Sequence, residues 1–232
     1  SPVYPGRLEV PAGGSDEASR VVTHYIYLVR HGEHQDAEHG IDDGPLSPRG
    51  QRQAELIADR LSGLPLDAVW HSPLLRAAET ARAIAGRLPS VVPEPSALLF
   101  DCVPTGPTDD TPAAYEPFFG SVTEAEIEAG RAQMEDATGE FLMRKTGDVH
   151  DVLITHNFVI AWFVREVLGA PEWRWMTLNQ AHAGLTVIMQ KQGRPWTLLA
   201  HNDLGHLPME LRTGLPALLP VRPSGMSSWG TA

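Results

Sequence analysis

YLVRHGEHQ, residues 27–35, decides how this chain reads. A run of strand-forming residues from Tyr25 to Val29 stops abruptly at an arginine, a histidine and a glycine. Unbroken β-branched, aromatic and aliphatic residues describe a strand covered on both faces, as in parallel sheets. A covered strand that ends by offering a cation beside an imidazole requires something for the two groups to hold. In open α/β sheets that place is the crevice beyond the carboxyl ends of the strands.

Two further strand ends repeat the pattern. Leu66 to His71 reads as a short strand ending at His71-Ser72, with Arg76 one turn into the next helical segment. Val152 to Thr155 reads as a buried strand that runs into His156 and a helix from about Asn157 to Leu168. Between them, Ser47-Pro48 supplies a cap and a first-turn proline for a helix over RGQRQAELIADRL, and Ser72-Pro73 carries the same signal for a helix to about Arg87. Thr123 and Glu126 form a capping box for a helix expected to reach Gly147. Leu185–Gln190 and Trp196–Ala200 close the series as paired strands. Alternation of this kind predicts a three-layer α/β/α sandwich around a mostly parallel sheet.

The side chains gathered at those strand ends suit a phosphoryl group. Arginine makes planar, bidentate hydrogen bonds to phosphate oxygens and stays charged. A neutral imidazole is able to attack phosphorus, and a protonated one adds a donor. Phosphoryl transfer is chiefly positioning and charge neutralisation, so two arginines and an imidazolium need no metal beside them.

The stretches LVRHGEHQ, HSPLLRAAETA and LITHNFVI together resemble the three motifs of the histidine phosphatase superfamily, the phosphoglycerate-mutase-like fold, over roughly residues 24 to 205. The resemblance implies His31 as the phosphorylated nucleophile, with Arg30, Arg76 and His156 binding and neutralising the phosphoryl group. The segment TLNQAHAGLTVI also resembles the family's late asparagine-bearing segment, through Asn179, and Asn157 is expected as a further substrate contact. Departures are visible. Ala37 stands where many members carry a phosphate-holding asparagine, His71 precedes Ser72 in place of a serine, and Asn157-Phe158 replaces a glycine pair. The general acid, usually a glutamate, would be Asp101 in LLFDCVPTGP, or another nearby acid. The Pro-rich middle loop and the run from LNQAHAG to NDLGHLP are loosely similar to the phosphatase branch that holds the mutase-like protein Ser/Thr phosphatases.

The expected activity is therefore metal-independent hydrolysis of a phosphate monoester. A phosphoglycerate-type phosphomutase and a non-catalytic phosphate-binding scaffold are the alternatives. The substrate would be a phosphorylated small molecule or a phosphoprotein. The stretch from Leu99 to Gly120 is expected to wall the pocket, and its few positive charges disfavour highly anionic substrates.

Plainer readings stand beside these. Asp101 also suits a turn. Glu33 and His34 read as loop residues. Cys102 lacks the arginine six residues on that cysteine phosphatases use, since Thr108 is there, and reads as a structural thiol. His31, His34 and His39 with Asp36, Asp42 and Asp43 have no ligand spacing that would make them a metal site. Trp162, Phe163, Trp173 and Trp175 read as core. His182, His201 and His206 have no partner legible in the sequence.

Composition sets the remaining bounds. A net charge of −11 argues against nucleic-acid binding, and no apolar run is long enough to span a membrane. A single cysteine makes a reducing, cytoplasmic setting the expectation. The first ten residues, which do not begin with Met, show no secretory signal. Residues 1–22 read as a flexible arm, 23–211 as one catalytic domain and 212–232 as a Pro/Gly-rich tail, with no cofactor and with homodimerisation left open.

Overall fold

The computed structural model describes residues 21–35 and 43–215. Ala37, Asp36, His39 and Asp42 therefore lie outside the described residues, as do most of the arm and most of the tail.

Six strands form one sheet in the order β3-β2-β4-β1-β5-β6. They are β1 (Thr23–Arg30), β2 (Ala68–His71), β3 (Glu94–Pro95), β4 (Val149–Thr155), β5 (Leu185–Lys191) and β6 (Thr197–Asp203). β1, β2, β3 and β4 are mutually parallel, β5 runs against β1, and β6 runs against β5. Only β5 is reversed, so the sheet is mixed but mostly parallel. The main helices are α1 (Pro48–Leu61), α2 (Leu75–Ala85), the single-turn α3 (Glu116–Phe119), α4 (Glu124–Phe141) and α5 (Asn157–Leu168).

Side chains alternate across the central strands and so feed two cores. Ile26, Leu28, Leu153 and Ile188 pack with Met134, Ala137 and Phe141 of α4 and with most of α5. Tyr27, Val29, Val152 and Ile154 pack with Ile57 and Leu61 of α1 and with Ala77, Ala81 and Ile84 of α2. The result is the expected three-layer sandwich. Trp162, Phe163, Trp173 and Trp175 are all buried, as core residues should be.

Helix ends follow local chemistry with two instructive differences. The Ser47 side chain accepts from Gly50 N, and Thr123 with Glu126 closes a complete capping box. Ser72 does not cap α2; the cap position falls at Leu74 without a side-chain bond. The Ser72 hydroxyl is spent on His156 instead, 2.8 Å from Nε2. α4 ends at Phe141, short of Gly147, because no further buried face follows: Met143 is largely exposed.

Candidate active site

Sheet order explains why three distant motifs meet. β4 lies between β2 and β1, with Arg30 level with Thr155 and His71 level with Ile154. The ladder continues past the strands through His31 N to Thr155 O (3.0 Å) and Ser72 N to Ile154 O (2.9 Å). Arg30-His31, His71-Ser72 and Thr155-His156 are thereby aligned at one sheet end. The first turn of α2 adds Arg76 from the side.

His31 is almost fully buried. Its Nδ1 lies 2.7 Å from Gly32 O, which only an N–H is able to use, so the proton sits on Nδ1. Nε2 then carries the lone pair and accepts from Arg76 Nε at 3.2 Å. Burial, then the neighbouring His156 and Arg30, push its pKa well below the usual histidine range. His156 is likewise pushed far down by burial and by Arg76 and Arg30. In the free site both imidazoles are neutral, so the protonated donor role expected for His156 requires a bound anion to favour it.

Arg76 Nη2 lies 3.4 Å from His156 Nδ1 and 3.5 Å from Asp101 Oδ2. Arg30 donates through Nη1 to Gln180 O (2.7 Å) and Gly214 O (3.1 Å). Its Nε is buried without a partner among the described residues. Burial lowers the Arg30 pKa to about 10, which leaves it cationic at neutral pH. Asp101 stands at the mouth, 3.6 Å from His156 Nδ1 and 43 % exposed. Desolvation by the protein around it raises its pKa, against the opposing pull of Arg76 and Arg30. Cys102 beside it is pushed up to about 12 by burial and by Asp101, so the thiol stays protonated.

Asn157 is placed at the start of α5, but its side chain faces the loop before β5. It accepts from Gln180 N at 2.8 Å and donates to Asn179 Oδ1 at 3.2 Å. Because Gln180 O accepts from Arg30, the Asn157 amide acts on Arg30 through one intervening residue. Glu33 is a brace, accepting from Ser47 Oγ and Arg49.

Two contributors could not be read from the residues. His182 lies beside His31, ring centres 5.6 Å apart, and burial lowers its pKa to about 3. Residues 211–214 brace the same corner: Thr213 Oγ1 bonds His182 Nδ1 at 2.9 Å and Gln53 Nε2 at 2.9 Å. Gly214, at φ +85°, sits so close that a Cβ would lie 2.8 Å from both Arg30 Nη1 and His182 Nδ1. No residue spacing announces either contact, since both arise from loops meeting across the sheet end. Among the described residues no group of three His, Cys, Asp or Glu is arranged to hold a metal ion.

A mixed α/β sandwich that gathers Arg30, His31, Arg76 and His156 at one sheet end has the phosphoglycerate-mutase-like fold, and known proteins of that fold resemble it. The model of the histidine phosphatase superfamily (branch 1) matches residues 26–99. The human mitochondrial serine/threonine-protein phosphatase PGAM5 is 29 % identical over 214 residues, covering 87 % of this chain and 72 % of that protein. The Caenorhabditis briggsae protein of the same name is 26 % identical, covering 83 % and 67 %. Among solved structures, Bacillus stearothermophilus YhfR superposes with a TM-score of 0.62 at 22 % identity, over 79 % of this chain and 98 % of that one. Entamoeba histolytica phosphoserine phosphatase bound to 3-phosphoglyceric acid gives 0.61 at 20 %, over 80 % and 100 %. The chain is thus similar to the histidine phosphatase superfamily over its first third and to PGAM5-type phosphatases over most of its length.

Proposed function

We propose that the chain is a metal-independent phosphomonoesterase working through a phosphohistidine on His31. The observation that carries this reading is the His31 tautomer: the Gly32 carbonyl holds the proton on Nδ1 and leaves Nε2 as a neutral nucleophile beside Arg76. Relatives named as protein phosphatases support hydrolysis over a mutase reaction.

In the first step Nε2 attacks phosphorus in line, the N–P bond forms and the ester P–O bond breaks. Asp101, its proton held more firmly by desolvation, gives that proton to the departing oxygen. Arg30 and Arg76 neutralise the equatorial oxygens, and the unpartnered Arg30 Nε gains an acceptor. The dianion also draws a proton onto His156, since an opposite charge favours the charged imidazole. In the second step water attacks phosphorus, Asp101 takes its proton, and the N–P bond breaks to release phosphate. A reducing, cytoplasmic setting accords with the lone, protonated Cys102.

Phosphate release from p-nitrophenyl phosphate, measured with excess chelator, tests the reading. The native chain should turn over and His31→Ala should not. Activity abolished by chelator would overturn the metal-free mechanism, and full activity in His31→Ala would overturn the phosphohistidine.

A further inference from the structure

Beyond Asp101 the site opens into a cleft of about 700 Å³ whose walls differ in kind from the phosphate pocket. Arg76 and Asp101 form its inner end, and Leu74, Phe100, Cys102, Val103, Ala129 and Phe158 form most of its sides. Glu126 and Gln133 are its other polar lining residues. Apart from Arg76, which the phosphoryl group would engage, no cation lines it among the described residues.

These walls are built to keep their shape. Phe158 is held edge-on by Trp175, 4.8 Å between ring centres, and by Phe118 at 5.8 Å. Gln133 Nε2 ties down Leu98 O and Phe100 O at 3.2 and 2.8 Å, fixing the loop that presents the Phe100 ring. Glu126 is locked as the capping-box carboxylate at the start of α4, and its hydrogen bonds from Thr123 lower its pKa, so it stays anionic. Cys102, held protonated, adds apolar surface and no charge.

We infer that this cleft selects the leaving group: the preferred substrate is a small monoester whose alcohol is apolar and aromatic and carries no acid. The inference rests on the phosphatase reading above. A leaving group bearing a carboxylate or second phosphate would face the anionic Glu126 with no cation among the described lining residues to meet it, which is unfavourable. An aromatic alcohol instead buries a ring against Phe100 and Phe158 and still places its oxygen within reach of Asp101. The cleft's size is that of a small-molecule site.

Four substrates separate the two levels of the argument: phenyl phosphate, biphenyl-4-yl phosphate, its 4′-carboxy derivative, and a phosphoserine peptide. Phenyl phosphate turnover, lost in His31→Ala, reports the phosphatase reading alone, and its absence in the native chain would sink both readings. Given that turnover, kcat/KM for the biphenylyl ester should exceed that for phenyl phosphate by about tenfold, the scale of burying one more ring. The carboxylate should forfeit about tenfold again. Glu126→Gln keeps the capping box, which accepts Gln at that position, and should narrow the carboxylate penalty. Phe100→Arg should narrow it further. A carboxy ester used as well as the neutral one, or a phosphopeptide preferred tenfold or more over the biphenylyl ester, would overturn the inference and leave the phosphatase reading standing.

Discussion

His31 is ready to react because three neighbours agree on one protonation state. The Gly32 carbonyl claims the Nδ1 proton, Arg76 donates to the Nε2 lone pair, and burial next to His156 and Arg30 disfavours a second proton. Asp101 is tuned the other way: desolvation favours its neutral form, and a bound phosphate dianion would favour it more. A positioned acid contributes about 10²–10⁴ in rate, and most where the leaving oxygen is a poor leaving group. Asp101→Asn is therefore expected to cut kcat/KM for an alkyl phosphate by about a hundredfold or more, with a far smaller loss for p-nitrophenyl phosphate. Equal losses on both esters would remove Asp101 from the acid's role.

At the scale of elements, α4 helps to set the position of the acid loop through the close approach of Gly130 to Val103, beside the Gln133 hydrogen bonds. A Cβ on Gly130 would lie 1.9 Å from Val103 O, so the helix and the loop meet this closely there because that side chain is absent. Gly139 lies two and a half turns further along the same helix with nothing within 4 Å of its Cβ position. The two glycines should respond oppositely to the same change. Gly139→Ala removes a helix-interior glycine and is expected to stabilise by up to about 1 kcal/mol. Gly130→Ala forces the helix and loop apart, with an expected loss of about 1–3 kcal/mol and a matching fall in activity as Asp101 moves. Urea denaturation of the two variants checks both signs. A stabilising Gly130→Ala would mean the loop does not rest on the helix.

For the whole molecule, placing three neutral histidines in one buried corner couples folding to pH. His31, His156 and His182 all have lowered pKa values in the folded chain, His182 at about 3. Above about pH 6.5 the unfolded imidazoles are neutral too, and nothing is lost. As pH falls below that value the unfolded chain binds protons that the folded site excludes. Stability then declines by up to about 1.4 kcal/mol per pH unit for each such histidine, until its folded pKa is reached. Asp101, with its pKa raised, works in the opposite direction as pH rises above the ordinary carboxylate value. The melting temperature at pH 5 should accordingly lie several degrees below that at pH 7, with a smaller drop in His182→Asn. Identical melting temperatures at the two pH values would mean the folded histidines are protonated.

Much of this protein was legible in its residues because the signals are local. Strand ends at Arg30, His71 and Thr155, the cap at Ser47, the Thr123–Glu126 box and the two-faced apolar run of the first strand each depend on neighbours a few positions away. Such patterns suffice for an α/β sandwich and for the set of Arg30, His31, Arg76 and His156 that its strand ends bring to one pocket. What the residues could not announce depends on contacts between distant segments. Ser72 turned from helix cap to partner of His156, Asn157 took Gln180 N and Asn179 as partners, and His182 with Thr213 and Gly214 came to lie against His31 and Arg30. The sequence alone determined the elements and their chemistry, since periodicity, caps and motif residues are properties of short stretches. Tertiary structure alone decided which polar side chains are neutral, which are engaged and what faces the leaving group, because burial and pairing exist only once the sheet has set its strand ends side by side.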